Sequence, residues 1–230
     1  MPAPSLSALD VGSSLAIASL VEAPLPTRHG GVRCLVFTME QEPWCEHVAL
    51  VTGDVGGGDV LTRVHFECLT SEVFGSLKCD CRDQLDLACA RIAQEQRGLL
   101  IYLRQEGRGI GLADKIRAYA LQENGLDTPD ANRALGLPED TRGYDAAAAV
   151  LKKLGVTSVR LLTNAPEKLR ALESLGVEVR SRVPIVPGAR PESAAYLSAK
   201  RDRLHHLLPP LPLTTLDLGT STCVSSHRRP

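Results

Sequence analysis

The chain has 230 residues, of which 43% are hydrophobic, enough for one good-sized domain or two small ones with a real core. Its formal net charge of −1 argues against a nucleic-acid-binding or membrane-binding protein. The seven cysteines are odd in number, and neither a signal peptide nor an apolar run of roughly 18 residues is visible, so we expect a protein of the reducing cytoplasm.

Four short strands are predicted in the first third of the chain, where β-branched and alternating apolar residues are separated by Gly, Pro and Asp turns. They cover residues 14–26, 30–40, 47–55 and 59–67. The last strand should deliver Arg63 to Cys68 at its end. Residues 1–14 and 209–230 are expected to be disordered tails around one domain over residues 15–208.

From Leu85 the apolar period becomes helical and predicts a helix that ends at Gly98, before a fully buried strand over residues 98–105. A glycine-rich turn then leads into a helix up to Gln122. Further helices are expected over residues 128–137, 144–154 and 193–208. Strand 157–163, helix 164–175 and strand 176–184 form a βαβ unit. The predicted fold class is α/β (α+β), a mixed sheet with N-terminal strands and flanking helices.

Three cysteines, Cys68, Cys79 and Cys81, lie close together in the sequence. Thiolate is a ligand that zinc prefers, and three protein ligands leave a fourth position for water, as in a catalytic site. The alternatives are a disulfide, buried free thiols, and a closed structural site completed by His65. An odd number of cysteines fits a disulfide poorly, and the spacing favours catalytic zinc. The remaining thiols in the body of the chain are interpreted as packing residues: Cys34, Cys45 and Cys89.

A glycine-rich segment, EGRGIG from Glu106 to Gly111, lies where the buried strand gives way to a helix. Glycines let a ligand approach backbone N–H groups, and a helix N-terminus favours anions. The forked guanidinium of Arg108, with a second from Arg104, matches phosphate oxygens. An ordinary strand–helix turn with solvated charges explains the segment equally well.

Six motifs together resemble GTP cyclohydrolase II over about residues 15–208: RVHFECLT, LKCDC, RQEGRGIGL, KIRAYALQ, DTPDANRALGLPEDTR and RLLTNAPEK. Enzymes of this family open the imidazole ring of GTP at the start of riboflavin synthesis. The resemblance implies release of formate and pyrophosphate and formation of a diaminopyrimidine nucleoside monophosphate. It also implies a homodimer. Because no dihydroxybutanone phosphate synthase segment precedes these motifs, we expect the stand-alone form of the enzyme.

The resemblance marks three sets of site residues. One Zn²⁺ per subunit would be held by Cys68, Cys79 and Cys81, with a water that attacks C8 of guanine, and Mg²⁺ would accompany the triphosphate. The family's catalytic positions match Asp140, Arg142 and Tyr119. Its GTP-contacting positions match Arg63, Val64, His65, Phe66, Glu67, Gln84, Glu106, Gly107, Arg108, Thr128, Thr163 and Lys168.

The implied roles differ in their chemical basis. Glu106 is suited to accept the N–H bonds of guanine. Arg142 matches a proposed nucleophile at the α-phosphorus, with Asp140 as its proton acceptor, yet a guanidinium is a poor nucleophile and could instead stabilise phosphoryl charge. Tyr119 matches a tyrosine linked to complete release of formate.

Several positions depart from the family pattern, namely Phe66, Arg82-Asp83 and Gly143. Phe66 is the most relevant because its neighbours match nucleotide-contacting positions. The departures leave room for a paralogue that gives a formylated product or serves a specialised-metabolite pathway. A non-catalytic, zinc-stapled nucleotide-binding module is an alternative of a different class.

Overall fold

The computed structural model describes residues 16–123, 128–138, 140–188, 191–203 and 205–208. Within these ranges one mixed sheet of seven strands has the order β1-β2-β3-β5-β4-β6-β7. The strands are β1 (Ile17–Thr27), β2 (Gly30–Met39), β3 (Glu42–Thr52), β4 (Val60–Phe66), β5 (Gly98–Leu103), β6 (Ser158–Leu162) and β7 (Glu178–Val183). The helices are α1 (Leu69–Glu72), α2 (Cys81–Glu95), α3 (Leu112–Gln122), α4 (Thr128–Ala134), α5 (Asp145–Lys153), α6 (Pro166–Ser174) and α7 (Ala194–Asp202). The predicted fold class is confirmed.

The N-terminal half of the sheet is antiparallel. Strands β1, β2 and β3 form a meander, and β3 continues the sheet by pairing antiparallel with β5. Alternate residues of β2, namely Leu35, Phe37 and Met39, are buried in the main core, as expected for a strand with one covered face. Strand β3 begins at Glu42, five residues earlier than the apolar pattern predicted. Its first five residues, Glu-Pro-Trp-Cys-Glu, do not alternate between apolar and polar and are mostly exposed, so the pattern gave no strand signal there.

The C-terminal half is parallel, and its central strands β4 and β5 are covered on both faces. Strand β4 pairs with β5 and β6, and β6 pairs with β7, all in parallel. Along β5, Leu99 and Ile101 pack in a core that includes α5, whereas Leu100 packs on the other face with Ala88 and Ile92 of α2. The prediction of a fully buried strand here is confirmed, as is the βαβ unit β6-α6-β7.

The carboxyl ends of β4, β5 and β6 meet at one edge of the sheet. The chain runs from β4 to β5 on one side and then returns to place β6 on the other side of β4. Open α/β sheets bind ligands at such a point, where the strand order reverses. The residues that follow these three strands include Cys68, Glu106 and Thr163, so this edge gathers the motifs singled out in the sequence.

The last predicted helix is too long. Helix α7 ends at Asp202, and the backbone N–H of His206 bonds to the carbonyl of Lys200. Leu207 then donates its backbone N–H to the carbonyl of Asn164, so the chain is drawn away from the helix axis toward the end of β6. Helix α1 was not predicted. The expected tails lie outside the described residues. None of the helices in the described ranges is long and apolar enough to cross a membrane.

Candidate active site

Three thiols converge beyond the end of β4. Cys68 lies immediately before α1, and Cys81 is the first residue of α2. The three Sγ atoms lie within 4.8 Å of one another, and those of Cys68 and Cys79 are 3.6 Å apart. A tetrahedral zinc with Zn–S bonds of about 2.3 Å holds its sulfurs about 3.8 Å apart. The thiols therefore fit zinc closely, and since all three are free, the disulfide alternative is wrong.

His65 does not complete the set of ligands. Its Nε2 lies 2.6 Å from Oε1 of Glu72, and its Nδ1 lies 3.4 Å from a guanidinium nitrogen of Arg63. Burial lowers the pKa of His65 to about 4, against the opposing effect of Glu72, so the ring is neutral and donates its Nε2–H to that carboxylate. Among the described residues, the group of mutually close ligand atoms contains three thiols and no fourth member. A closed site completed by His65 is therefore wrong.

The three thiols share their protons unequally. Hydrogen bonds from Cys79 and Cys81, helped by the charge of Lys115, lower the pKa of Cys68, while the pKa values of the two donors are raised. Nζ of Lys115 lies 3.2 Å from Sγ of Cys68 and 2.7 Å from Oε1 of Glu106. The ammonium of Lys115 therefore lies beside one sulfur. Metal binding removes protons from the thiols, and the positive charge of Lys115 stabilises the thiolates that result.

A buried chain of hydrogen bonds connects β4 to the thiols. Arg63 donates to the carbonyl of Leu162 at 2.8 Å and to Oε1 of Gln84 at 2.6 Å. Gln84 in turn donates from Nε2 to Oδ2 of Asp80 at 2.6 Å, and Asp80 stands between Cys79 and Cys81. The arginine and the metal-binding turn are therefore held in one network.

Two cationic groups lie over the ring of Phe66. The guanidinium carbon of Arg142 and Nζ of Lys168 are each 4.6 Å from its centroid, and Tyr144 packs edge-on against it at 5.3 Å. Burial, and then the charges of Arg63 and Arg142, lower the pKa of Lys168 well below its ordinary value. Cations crowded in this way would be stabilised by an anion.

The guanidinium of Arg142 is held in its charged form. Its Nε donates to both carboxylate oxygens of Asp140, at 2.8 and 3.0 Å. Burial acts to lower the pKa of Arg142, but the bonds to Asp140 outweigh it and the pKa is raised. This arrangement suits charge stabilisation better than nucleophilic attack, which requires a deprotonated nitrogen.

The loop that carries Asp140 and Arg142 docks on the glycine-rich turn. Residues Gly107 and Arg108 have φ values of +63° and +62°, and Gly109 has a φ of +88°. A Cβ on Gly109 would lie 2.2 Å from Oγ1 of Thr141, whose backbone N–H bonds to the carbonyl of Arg108 at 3.0 Å. Glycine is required here both for its backbone conformation and for the close approach of the second loop.

The thiols and the cations line a single cavity of about 370 Å³. This volume lies within the range of about 300–1,000 Å³ that is usual for small-molecule sites. Arg63, Arg108, Arg142 and Lys168 contribute positive charge to the walls. The cavity can therefore accept an anionic ligand beside a metal ion.

Comparison with known proteins gives the family. Residues 18–184 match the family model described as GTP cyclohydrolase II. The chain belongs to the GTP cyclohydrolase II family. It is 53% identical over 191 residues to the riboflavin biosynthesis protein RibBA of Salinispora tropica, a match that covers 82% of this chain and 48% of that protein. The RibBA protein of Nocardia farcinica is 49% identical over 205 residues, covering 88% of this chain and 49% of that protein.

The chain spans about half the length of the curated relatives it matches, so the stand-alone form stays a prediction. A crystal structure of RibBX from A. baumannii, a two-domain 3,4-dihydroxy-2-butanone 4-phosphate synthase, aligns with 75% of this chain and 41% of its own. Its TM-score of 0.45 and sequence identity of 20% are too low to carry an argument about this site.

Most of the residues that the GTP cyclohydrolase II resemblance marks line the cavity. They are Arg63, His65, Phe66, Glu67, Cys68, Cys79, Cys81, Gln84, Glu106, Gly107, Arg108, Tyr119, Arg142, Thr163 and Lys168. Two others stand behind its wall: the side chain of Val64 is buried in the core while its carbonyl accepts from Lys168 at 3.0 Å, and Asp140 holds Arg142. Thr128 is the first residue of α4, and its side chain lies outside the described residues.

The carboxylate of Glu106 is already bonded to three protein donors. Oε1 accepts from Lys115 and from the backbone of Gly107, and Oε2 accepts from the backbone of Leu69 at 2.7 Å. A carboxylate offers about four acceptor positions. Glu106 therefore ties the end of β5 to α1 and α3, in addition to any contact that it makes with a purine.

Sequence reasoning missed several residues of the cavity wall, including Lys115, Asn132, Tyr196, Lys200 and His206. Lys115 had a usable signal, because it precedes Tyr119 by one turn of α3 and so shares its face. Tyr196, Lys200 and His206 had none, since only the docking of the C-terminal segment brings them to the site.

A second cluster of ligand-type atoms lies on the far side of Glu67. Glu42, Cys45 and His47 line a separate cavity of about 700 Å³ that Arg104 also faces. The backbone N–H of Arg104 donates to Nδ1 of His47 at 3.1 Å, so the neutral ring keeps its proton on Nε2 and is a poor metal ligand. Cys45 lies on this wall rather than in the core, so its interpretation as a packing residue is wrong, whereas that of Cys89 is confirmed.

Proposed function

We propose that this protein is a zinc-dependent GTP cyclohydrolase II, which hydrolyses GTP at C8 of guanine and releases formate and pyrophosphate. The observation that carries the proposal is the meeting of three thiols, at the spacing of zinc ligands, with a cluster of buried cations in one cavity. Membership of the family supplies the substrate, and Mg²⁺ is proposed to accompany the triphosphate.

Cys68, Cys79 and Cys81 would hold the zinc. When bound, the ion supplies Lewis acidity and lowers the pKa of water in the cavity. Lys115 offsets the negative charge beside Cys68, and its bond to Glu106 keeps the ammonium in place.

The phosphate groups are assigned to the cationic wall of the cavity. Lys168 is buried beside other cations, which disfavours its charged form, so an incoming triphosphate would stabilise the ammonium and be bound by it. Arg142 is proposed to stabilise charge at the phosphoryl group, because its bonds to Asp140 keep it protonated. Phe66 supports both cations with its ring.

The alternative that the site also accommodates is a related enzyme that stops at a formylated, ring-opened product. Tyr119 lies on the cavity wall, with the ammonium groups of Lys78 and Lys115 at 5.4 and 5.7 Å from its ring. Because it matches the family's tyrosine linked to complete release of formate, its place on this wall supports the full reaction. A non-catalytic module predicts nucleotide binding with no change in the mass of GTP. A specialised-metabolite pathway would change the consumer of the product.

The decisive experiment is incubation of the purified protein with GTP, Zn²⁺ and Mg²⁺, with every product identified by mass. Release of both formate and pyrophosphate supports the proposal, while a formylated product supports the alternative. The Cys68→Ser variant should lose formate release, because a site with three protein ligands cannot spare one. Cys34→Ser, which removes a half-buried thiol of β2, is the matched control. Substantial formate release by metal-depleted Cys68→Ser protein would exclude the role of zinc.

The expected cytoplasmic homodimer also stays a prediction. Light scattering on the purified protein gives the oligomeric state directly. A monomeric but active protein would separate the activity from the assembly.

A further inference from the structure

The residue between two of the thiols, Asp80, is held by the C-terminal helix. Its side chain is 3% exposed, and Oδ1 accepts a hydrogen bond at 2.9 Å from Nζ of Lys200, which lies 120 residues later in α7. Its other oxygen accepts from Gln84 at 2.6 Å. A buried carboxylate is costly unless it is paired and hydrogen-bonded, so both partners are needed to keep Asp80 in place.

Lys200 is itself fixed by the segment that surrounds it. Its ammonium lies 4.3 Å from the ring centroid of Tyr196, one turn earlier in α7. Its carbonyl accepts the backbone N–H of His206, and Leu207 is bonded to the carbonyl of Asn164 beyond β6. The C-terminal helix is thus anchored to the sheet at the same edge as the cavity and presents a buried cation to the thiol-bearing turn.

We propose that Lys200 is a positioning residue for this site. Its ammonium holds Asp80 so that the sulfurs of Cys79 and Cys81 keep their spacing, and the same network orients Arg63 through Gln84. Lys200 acts through Asp80 and not on the reacting atoms. Residues that do not touch the metal but orient its ligands commonly change the metal affinity by about 10- to 100-fold when they are removed. The inference rests on the zinc site of the proposed function and adds the C-terminal helix to it.

The main test compares Lys200→Met, which keeps a long apolar stem and removes the charge, with Lys200→Arg, which keeps the charge. Arg201→Ala is the matched control, because Arg201 is the next residue of α7 and pairs with its neighbour Asp202. We expect zinc transfer from Lys200→Met protein to a chromogenic chelator to be about 10- to 100-fold faster than from the wild type. Lys200→Arg should recover most of the difference, and Arg201→Ala should behave as the wild type.

A second readout needs neither zinc nor activity. In metal-depleted protein, alkylation of Cys79 and Cys81 by iodoacetamide, followed by peptide mass, reports how firmly the turn is held. Lys200→Met should speed alkylation of both thiols while leaving Cys34 unchanged. If pairing with Asp80 is the cause, Asp80→Asn should have the same effect, and the double variant should be no worse than either single one.

The outcomes separate the two proposals. Wild-type rates of both zinc transfer and alkylation in Lys200→Met would overturn the role of Lys200 and leave the proposed function standing. If the wild type holds no zinc, the proposed function fails, and the alkylation rates alone decide the role of Lys200. Should Lys200→Met fail to fold, Asp80→Asn carries the test, since its amide can still accept from Gln84 without requiring a cation.

Discussion

Replacing Phe66 by leucine tests whether its ring organises the cationic wall. The ring is 9% exposed, and the charged groups of Arg142 and Lys168 lie 4.6 Å from its centroid. A desolvated cation–π contact is worth about 1–2 kcal/mol, so the two together give at most about 2–4 kcal/mol. Asp140 still holds Arg142, and the carbonyl of Val64 still holds Lys168, so only part of this energy should appear in binding.

We therefore expect the KM for GTP to rise about tenfold in Phe66→Leu, which corresponds to ~1.4 kcal/mol, with a smaller change in kcat. Phe66→Tyr keeps the aromatic ring and is the control. Thermal unfolding should be measured in parallel, because replacing one buried apolar side chain by another of different shape costs up to about 1.5 kcal/mol of stability. Such a loss lowers the amount of folded enzyme but leaves the KM of the folded enzyme unchanged. A Phe66→Leu enzyme whose KM stays within about twofold of the wild type would refute the reasoning.

Three further predictions concern other parts of the site. Gly109→Ala should destabilise the fold by about 1–3 kcal/mol and weaken turnover, since its φ of +88° and the nearby Thr141 leave no room for a Cβ; unchanged urea denaturation would contradict this. His65 has a folded-state pKa of about 4 against an ordinary 6.5, so its neutral form adds stability above pH 6.5 that is lost as the pH falls toward 4. Between pH 7 and pH 5, His65 should lower the free energy of unfolding by about 2 kcal/mol. Equal free energies of unfolding at the two pH values would contradict the low pKa of His65. Tyr119→Phe should accumulate a product that retains the formyl group, and full formate release would show that the hydroxyl is dispensable.

Local patterns were sufficient for most of the elements. The apolar run of β5 predicted a buried strand because both faces of that strand are covered. Pro166 marked the start of α6, since proline fits the first turn of a helix. The failures came where exposed residues without apolar alternation form a strand, as at the start of β3, or where tertiary hydrogen bonds end a helix early, as at Asp202.

The sequence by itself determined the family, the mixed sheet and the three thiols, because each depends on residue types at short spacing. Only the tertiary structure decided the chemistry of single groups. It excluded His65 as a ligand by occupying both ring nitrogens, kept Arg142 charged through Asp140, and brought Lys200 to Asp80 across 120 residues of chain. Protonation and hydrogen bonding depend on burial and on which groups face one another, and neighbours in the folded protein are set by packing rather than by order along the chain.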